Sequence, residues 1–176
     1  MTKLLRMTCL AASVAATALT ATPAVAAPVG ASSPAPARAR MVRPLTLTAT
    51  PNLDFGTITL GTVAAGGETV SMTTAGVVTC GAGGLTCSGT PVSAEYNVTG
   101  TNNQVVQIFS AAAPLTNAND GTTLSFTPTL PVGSTVTLTN SGAPGSDFEV
   151  GGSIVITPTT TDGVYSGNIN VTVDYQ

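Results

Sequence analysis

GVYSGNINVTVDYQ, Gly163 to Gln176, decides the fold. Tyr165, Gly167, Ile169, Val171, Val173 and Tyr175 take the odd positions, and Ser166, Asn168, Asn170, Thr172 and Asp174 the even ones. Such alternation marks a strand with one face on a core and the other in solvent, so a strand is predicted from Tyr165 to Tyr175. A strand at a sheet margin presents a row of unpaired N–H and C=O groups unless it is paired, covered or charged. Asp174 is the only charge in this stretch, and neither Lys nor Pro blunts it. The reading therefore predicts an edge that another segment covers.

Working upstream, a turn rich in Gly, Asn or Pro repeatedly precedes a short alternating run. Strands are predicted at Glu68 to Thr73, Gly76 to Cys80, Val92 to Thr99, Gln104 to Ser110, Thr122 to Thr127, Ser134 to Asn140, Phe148 to Val150 and Ser153 to Thr157. Turns fall between them, at Ala65-Gly66-Gly67, Asn119-Asp120-Gly121 and Ser141 to Gly145 among others. In Leu53 to Leu60 (LDFGTITL) the apolar parity changes at Gly56, which predicts a bend there. No helix of length is predicted, because Ala111-Ala112-Ala113 runs into Pro114. The fold class is all-β: an immunoglobulin-like β-sandwich of short antiparallel strands.

Charge is distributed unevenly. Only 7% of the 176 residues are charged, and there is no His or Trp. All five cations (Lys3, Arg6, Arg38, Arg40, Arg43) precede residue 44, and all eight acids, from Asp54 to Asp174, follow it. An acidic body without a basic patch argues against a nucleic-acid partner. The short basic segment ahead of it is suited to a weak, salt-sensitive attraction to a neighbour's acidic surface.

Residues 1–26 read as a signal peptide. Lys3 and Arg6 form the basic start, Met7 to Ala21 the apolar run and Ala24-Val25-Ala26 the small-residue cleavage site. Cys9 would leave with the signal, and no later stretch is long and apolar enough to span a membrane. Residues 27–43 form a disordered, Pro-rich leader and basic arm, and residues 44–176 the sandwich. Within Ala37 to Thr50 (ARARMVRPLTLTAT), Ala37, Ala39, Met41, Leu45, Leu47 and Ala49 share one parity, broken by Arg43. An extended arm of this kind has the shape needed to fill a groove in a neighbouring sheet. The bland reading makes the same residues the first strand of their own domain.

Candidate chemistry is sparse. Cys80 and Cys87 flank GAGGLT, and in an exported chain a disulfide across a Gly-rich hairpin is expected. Closing so short a loop contributes about 2.5 kcal/mol in the chain-entropy model. Metal binding is not expected, since no His or third ligand lies near and no calcium-loop spacing surrounds Asp120, Asp147, Glu149 or Asp162. Without His there is no His-dependent triad, so neither catalytic residues nor a cofactor is expected.

A Gly fourteen places from the end and a penultimate Tyr, here Gly163 and Tyr175, resemble the C-terminal signature of chaperone-usher pilus subunits. LDFGTI, reached through PLTLTAT and joined to a TVDYQ end, looks like the domain-of-unknown-function 4402 family of exported bacterial proteins. It is also similar to spore-coat-U-like domains, which carry a comparable L-x-F-G turn after their arm. Many pilins join their first two strands by a longer-range bridge, a departure from the Cys80 and Cys87 spacing. The resemblance implies a pilin-like sandwich completed by another subunit's arm. Met41, Leu45, Leu47 and Ala49 would be the donor-strand side chains. The acceptor groove would be edged by Leu53 to Ile58 on one side and by Gly163, Tyr165, Ile169, Val171, Val173 and Tyr175 on the other. The function implied is a structural subunit of a pilus-like or fimbria-like surface fibre, passing through the periplasm to the cell surface. Its partners would be like or sister subunits, a periplasmic chaperone and an outer-membrane usher. The alternative is a monomeric exported binding module for an envelope or glycan ligand.

Overall fold

The computed structural model describes residues 26–30 and 32–176, so the predicted signal peptide lies outside the described residues except for Ala26. The chain forms two units, Met1–Ala39 and Arg40–Gln176. The described residues of the first carry no helix or strand. Every strand of the described residues belongs to the second: β1 Thr46–Ala49, β2 Thr57–Leu60, β3 Glu68–Met72, β4 Val78–Thr79, β5 Leu85–Ser88, β6 Ala94–Thr99, β7 Val105–Ser110, β8 Ala113–Asn117, β9 Thr123–Thr129, β10 Thr135–Thr137, β11 Ser146–Ile156, β12 Tyr165–Ser166 and β13 Val171–Tyr175.

The fold is all-β and its pairings are antiparallel, in keeping with the period-two alternation. One large sheet runs β1-β6-β11-β9-β8-β12, with β3 also paired to β11 and β4 to β3; a second runs β10-β7-β13, and β2 pairs with β5. The layers meet through two apolar clusters. One joins Ala94, Tyr96 and Val98 of β6, Val106 and Ile108 of β7, Leu138, and Phe148 and Val150 of β11. The other joins Phe55, Val70, Met72, Leu85, Leu124, Phe126, Ile154 and Ile156. Each contains one aromatic pair, Tyr96 stacked on Phe148 with centroids 5.4 Å apart and Phe55 edge-on to Phe126 at 6.2 Å.

β11 links the clusters. The sequence reading splits it at Gly151-Gly152, but it is one strand that pairs with β6 through Val150 and with β3 and β9 beyond. Both glycines are buried, and a methyl on Gly152 would lie 2.2 Å from the Phe126 ring. They mark close approach rather than a turn. Conversely, the strand predicted from Tyr165 to Tyr175 is broken. Tyr165–Ser166 pairs with β8 in the large sheet and Val171–Tyr175 with β7 in the other, so the intervening residues cross between layers. Gly167 makes the crossing close to β8, where a methyl would meet the Pro114 carbonyl oxygen at 2.4 Å. β8 itself escaped prediction because Pro114 looked like a breaker. Pro114 faces Ser125 of β9, while β12 reaches only Thr116 and Asn117 on its other side, and an edge position tolerates the absent donor.

Candidate functional site

Residues 46–60 form one discontinuous margin. They run antiparallel to residues 85–99, from Thr46 opposite Thr99, through a bridge between Asp54 and Val92, to Leu60 opposite Leu85. The predicted bend at Gly56 is present: its φ is +77°, its N–H donates to Asp54 Oδ1 at 2.8 Å, and a methyl would meet the Ser88 carbonyl oxygen at 2.5 Å. Among the described residues neither β1 nor β2 has a strand on its outer side, and β13 likewise pairs only with β7. These margins flank one seam.

At one end the seam is closed. The Tyr175 hydroxyl donates to the Arg43 carbonyl at 2.7 Å and accepts from the Thr101 N–H at 2.8 Å. Gly100 makes room, since a methyl there would lie 2.4 Å from that hydroxyl. Leu45 and Leu47 of the leading margin pack with Val171, Val173 and Tyr175 against the Tyr96 and Phe148 cluster.

Toward Leu60 the seam opens into a groove of about 1170 Å³. Leu53, Phe55 and Ile58 form one wall, Tyr165, Gly167 and Ile169 the other, and Leu124, Phe126, Ile154 and Ile156 the floor. Asp54 and Asp162, both exposed, stand on opposite walls. The boundary with the closed end is Tyr96, whose hydroxyl points at the Ile169 carbonyl from 3.5 Å and whose pKa is pushed up by burial.

A polar network holds the second wall. Asn117, 1% exposed, donates to Thr161 Oγ1 at 3.2 Å and to the Asp162 carbonyl at 3.1 Å. Gly163, φ +147°, passes so close that a methyl would lie 2.3 Å from the Asn117 side-chain oxygen. Asp120 accepts from the hydroxyls of Thr122 and Thr161, each at 2.7 Å, and from the Thr122 N–H at 2.9 Å. These bonds, the Thr122 hydroxyl first, lower its pKa.

Cys80 and Cys87 are disulfide-bonded with Cα atoms 5.8 Å apart. The expected hairpin is absent, because β4 pairs with β3 and β5 with β2. The Gly-rich loop instead wraps the carboxylate of Glu68, 8% exposed, which accepts from Gly84 N–H at 3.0 Å, Gly83 N–H at 3.1 Å and Ala64 N–H at 3.3 Å. The Gly84 bond leads in lowering the Glu68 pKa, against the opposing pull of burial. A methyl on Gly83 would lie 2.3 Å from the carboxylate and push it out of this arrangement.

The structure thus divides the residues singled out from sequence. Leu53 to Ile58, Gly163, Tyr165 and Ile169 line the groove, whereas Val171, Val173 and Tyr175 lie at the closed end. Leu45, Leu47 and Ala49 stand on the margin of their own domain, with Leu47 opposite Val98 and Ala49 opposite Tyr96; Met41 is 88% exposed. Sequence reasoning missed the floor, which comes from β9 and the second half of β11, and it missed Asn117. Among the described residues no group of three or more His, Cys, Asp or Glu is placed to hold a metal, and no helix is long and apolar enough to cross a membrane.

The family model described as Domain of unknown function (DUF4402) matches residues 45–175. No curated protein and no solved structure matches the chain.

Proposed function

The chain belongs to this DUF4402 family, and from its groove we propose that it is an exported, non-enzymatic subunit of a pilus-like surface fibre assembled by donor-strand complementation. The observation that carries this reading is an apolar groove floored by core side chains and lying between two sheet margins that, among the described residues, have no strand on their outer side. An extended segment laid there gains ladder hydrogen bonds from the walls and buries alternate side chains on the floor, the mode known as β-augmentation. In this proposal the donor comes from the leader and arm of another copy or a sister subunit. A periplasmic chaperone and an outer-membrane usher handle the chain on its way to the cell surface.

One observation favours the second reading, a monomeric exported module with an envelope or glycan ligand. β1 pairs with β6 of its own chain, so Leu45 and Leu47 are engaged at home. The donor is then confined to residues before Leu45, with Met41 as its largest apolar side chain. Burying one such side chain contributes about 1.5 to 3 kcal/mol, and each net ladder bond about 0.5 to 1.5 kcal/mol. Sedimentation of the purified chain over a concentration series separates the two readings. Growth of end-to-end oligomers that stops when residues 27–42 are deleted is the result expected of the fibre subunit. Monomers at every concentration would overturn it in favour of the module.

A further inference from the structure

We propose that the groove recognises residues Ala37 to Val42 of a second copy by charge as well as shape, with Arg38 and Arg40 of the incoming segment pairing with Asp54 and Asp162. This inference rests on the strand-complementation reading and adds the partner and its register. Successive side chains of an extended segment point to opposite faces. With Ala37, Ala39 and Met41 directed to the floor, Arg38 and Arg40 are directed outward, toward the rims. There the groove carries one exposed carboxylate on each wall. No Lys or Arg occurs after residue 43, so the domain body supplies no cation of its own to answer them. Six extended residues span about 20 Å, the same order as the eight-residue wall from Leu53 to Leu60, which bends at Gly56.

The near end of the same segment explains why another copy supplies it. Tyr175 holds the Arg43 carbonyl at the closed end of the seam, so the segment starts away from its own groove. Among the described residues Arg40 donates to Gln104 Oε1 and, at 3.1 Å, to the main-chain oxygen of Gln176, both in exposed contacts that solvent can replace.

The test uses the full purified chain in sedimentation experiments. Raising NaCl from about 0.02 to about 0.5 M shortens the screening length from about 20 to about 4 Å and should weaken association. Neutralising either side, with Asp54→Asn and Asp162→Asn or with Arg38→Gln and Arg40→Gln, should weaken it about fivefold and flatten the salt dependence. Two reversed chains complete the test, one carrying Asp54→Lys and Asp162→Lys, the other Arg38→Glu and Arg40→Glu. Each alone should associate more weakly than the neutral variants, and association should recover on mixing. Wild-type association that is indifferent to salt and to both neutral pairs, yet abolished by deleting residues 27–42, would overturn the charge pairing and leave strand exchange standing. The same holds if the reversed chains associate alone as tightly as wild type or gain nothing on mixing. A wild-type chain monomeric at every concentration and salt would remove both proposals together.

Discussion

The two ends of the seam are bordered by the same pair of margins, yet one is sealed and the other open. At the sealed end, Leu45, Leu47, Val171, Val173 and Tyr175 cover the Tyr96 and Phe148 cluster. At the open end, Leu53, Ile58, Tyr165 and Ile169 stand beside the Phe55 and Phe126 cluster without closing over it. The difference arises where the margins change direction. Gly56 bends the leading one, and the Gly167 to Asn170 crossing carries the trailing one from one sheet to the other. The sandwich therefore seals one half of its core along the seam and leaves a groove beside the other, whose floor side chains are nonetheless buried.

Paired truncations test that contrast most severely. Ile108, 1% exposed in the sealed half, and Leu124, 8% exposed on the groove floor, are of equal size. Ile108→Ala leaves a cavity that nothing can enter and should cost about 3 to 4 kcal/mol in urea unfolding. Leu124→Ala enlarges a space that water already reaches and should cost nearer 2 kcal/mol. Equal losses would mean that the two halves are equally sealed. Next in size is the disulfide, which ties β5 to the segment after β4 at the open half. Replacing Cys80 and Cys87 by Ser should lower stability by about 2.5 kcal/mol and hasten amide exchange at Gly83 and Gly84 before that at Val106. Tyr175→Phe removes the hydroxyl that closes the other end and leaves the Thr101 N–H and Arg43 carbonyl without it. A loss of about 1 to 2 kcal/mol is expected, together with faster exchange of the Thr101 amide. An unchanged melting temperature would show that apolar packing alone seals that end.

The sealed half was the more legible in the sequence, because period-two alternation in β6, β7 and β13 reports burial directly. The groove was legible only at its walls. Leu53 to Ile58 stood out as a bend and Gly163 as part of the C-terminal signature, but the floor depends on which strands become neighbours, and alternation does not carry pairing order. Gly151-Gly152 and Pro114 misled for a common reason. Each read locally as punctuation, whereas Gly151-Gly152 answers close packing inside one strand and Pro114 the tolerance of a sheet edge. Asn117 gave no signal in sequence, since a buried amide and a loop amide look alike there. Arm and first strand were also indistinguishable by parity, and only the register of Leu47 opposite Val98 separates them.

The smallest effect expected is acid loosening of one half before the other. Glu68 and Asp120 both belong to the open half, Glu68 pinning the Gly-rich loop and Asp120 the Thr161 wall, and both pKa values are lowered. A carboxylate whose folded pKa lies below its unfolded value contributes stability above the unfolded value, and that contribution is lost as pH falls through the folded one. Protection of the Gly83, Gly84 and Thr122 amides should therefore fall as pH drops below about 4, while Val98 and Val106 stay protected. Glu68→Gln should flatten that fall at Gly83 and Gly84 alone, because the Asp120 network is separate. Loss of protection at Val106 in step with Gly84 would show that the halves open as one cooperative unit, and that the seam's asymmetry is a matter of shape without a matching difference in local stability.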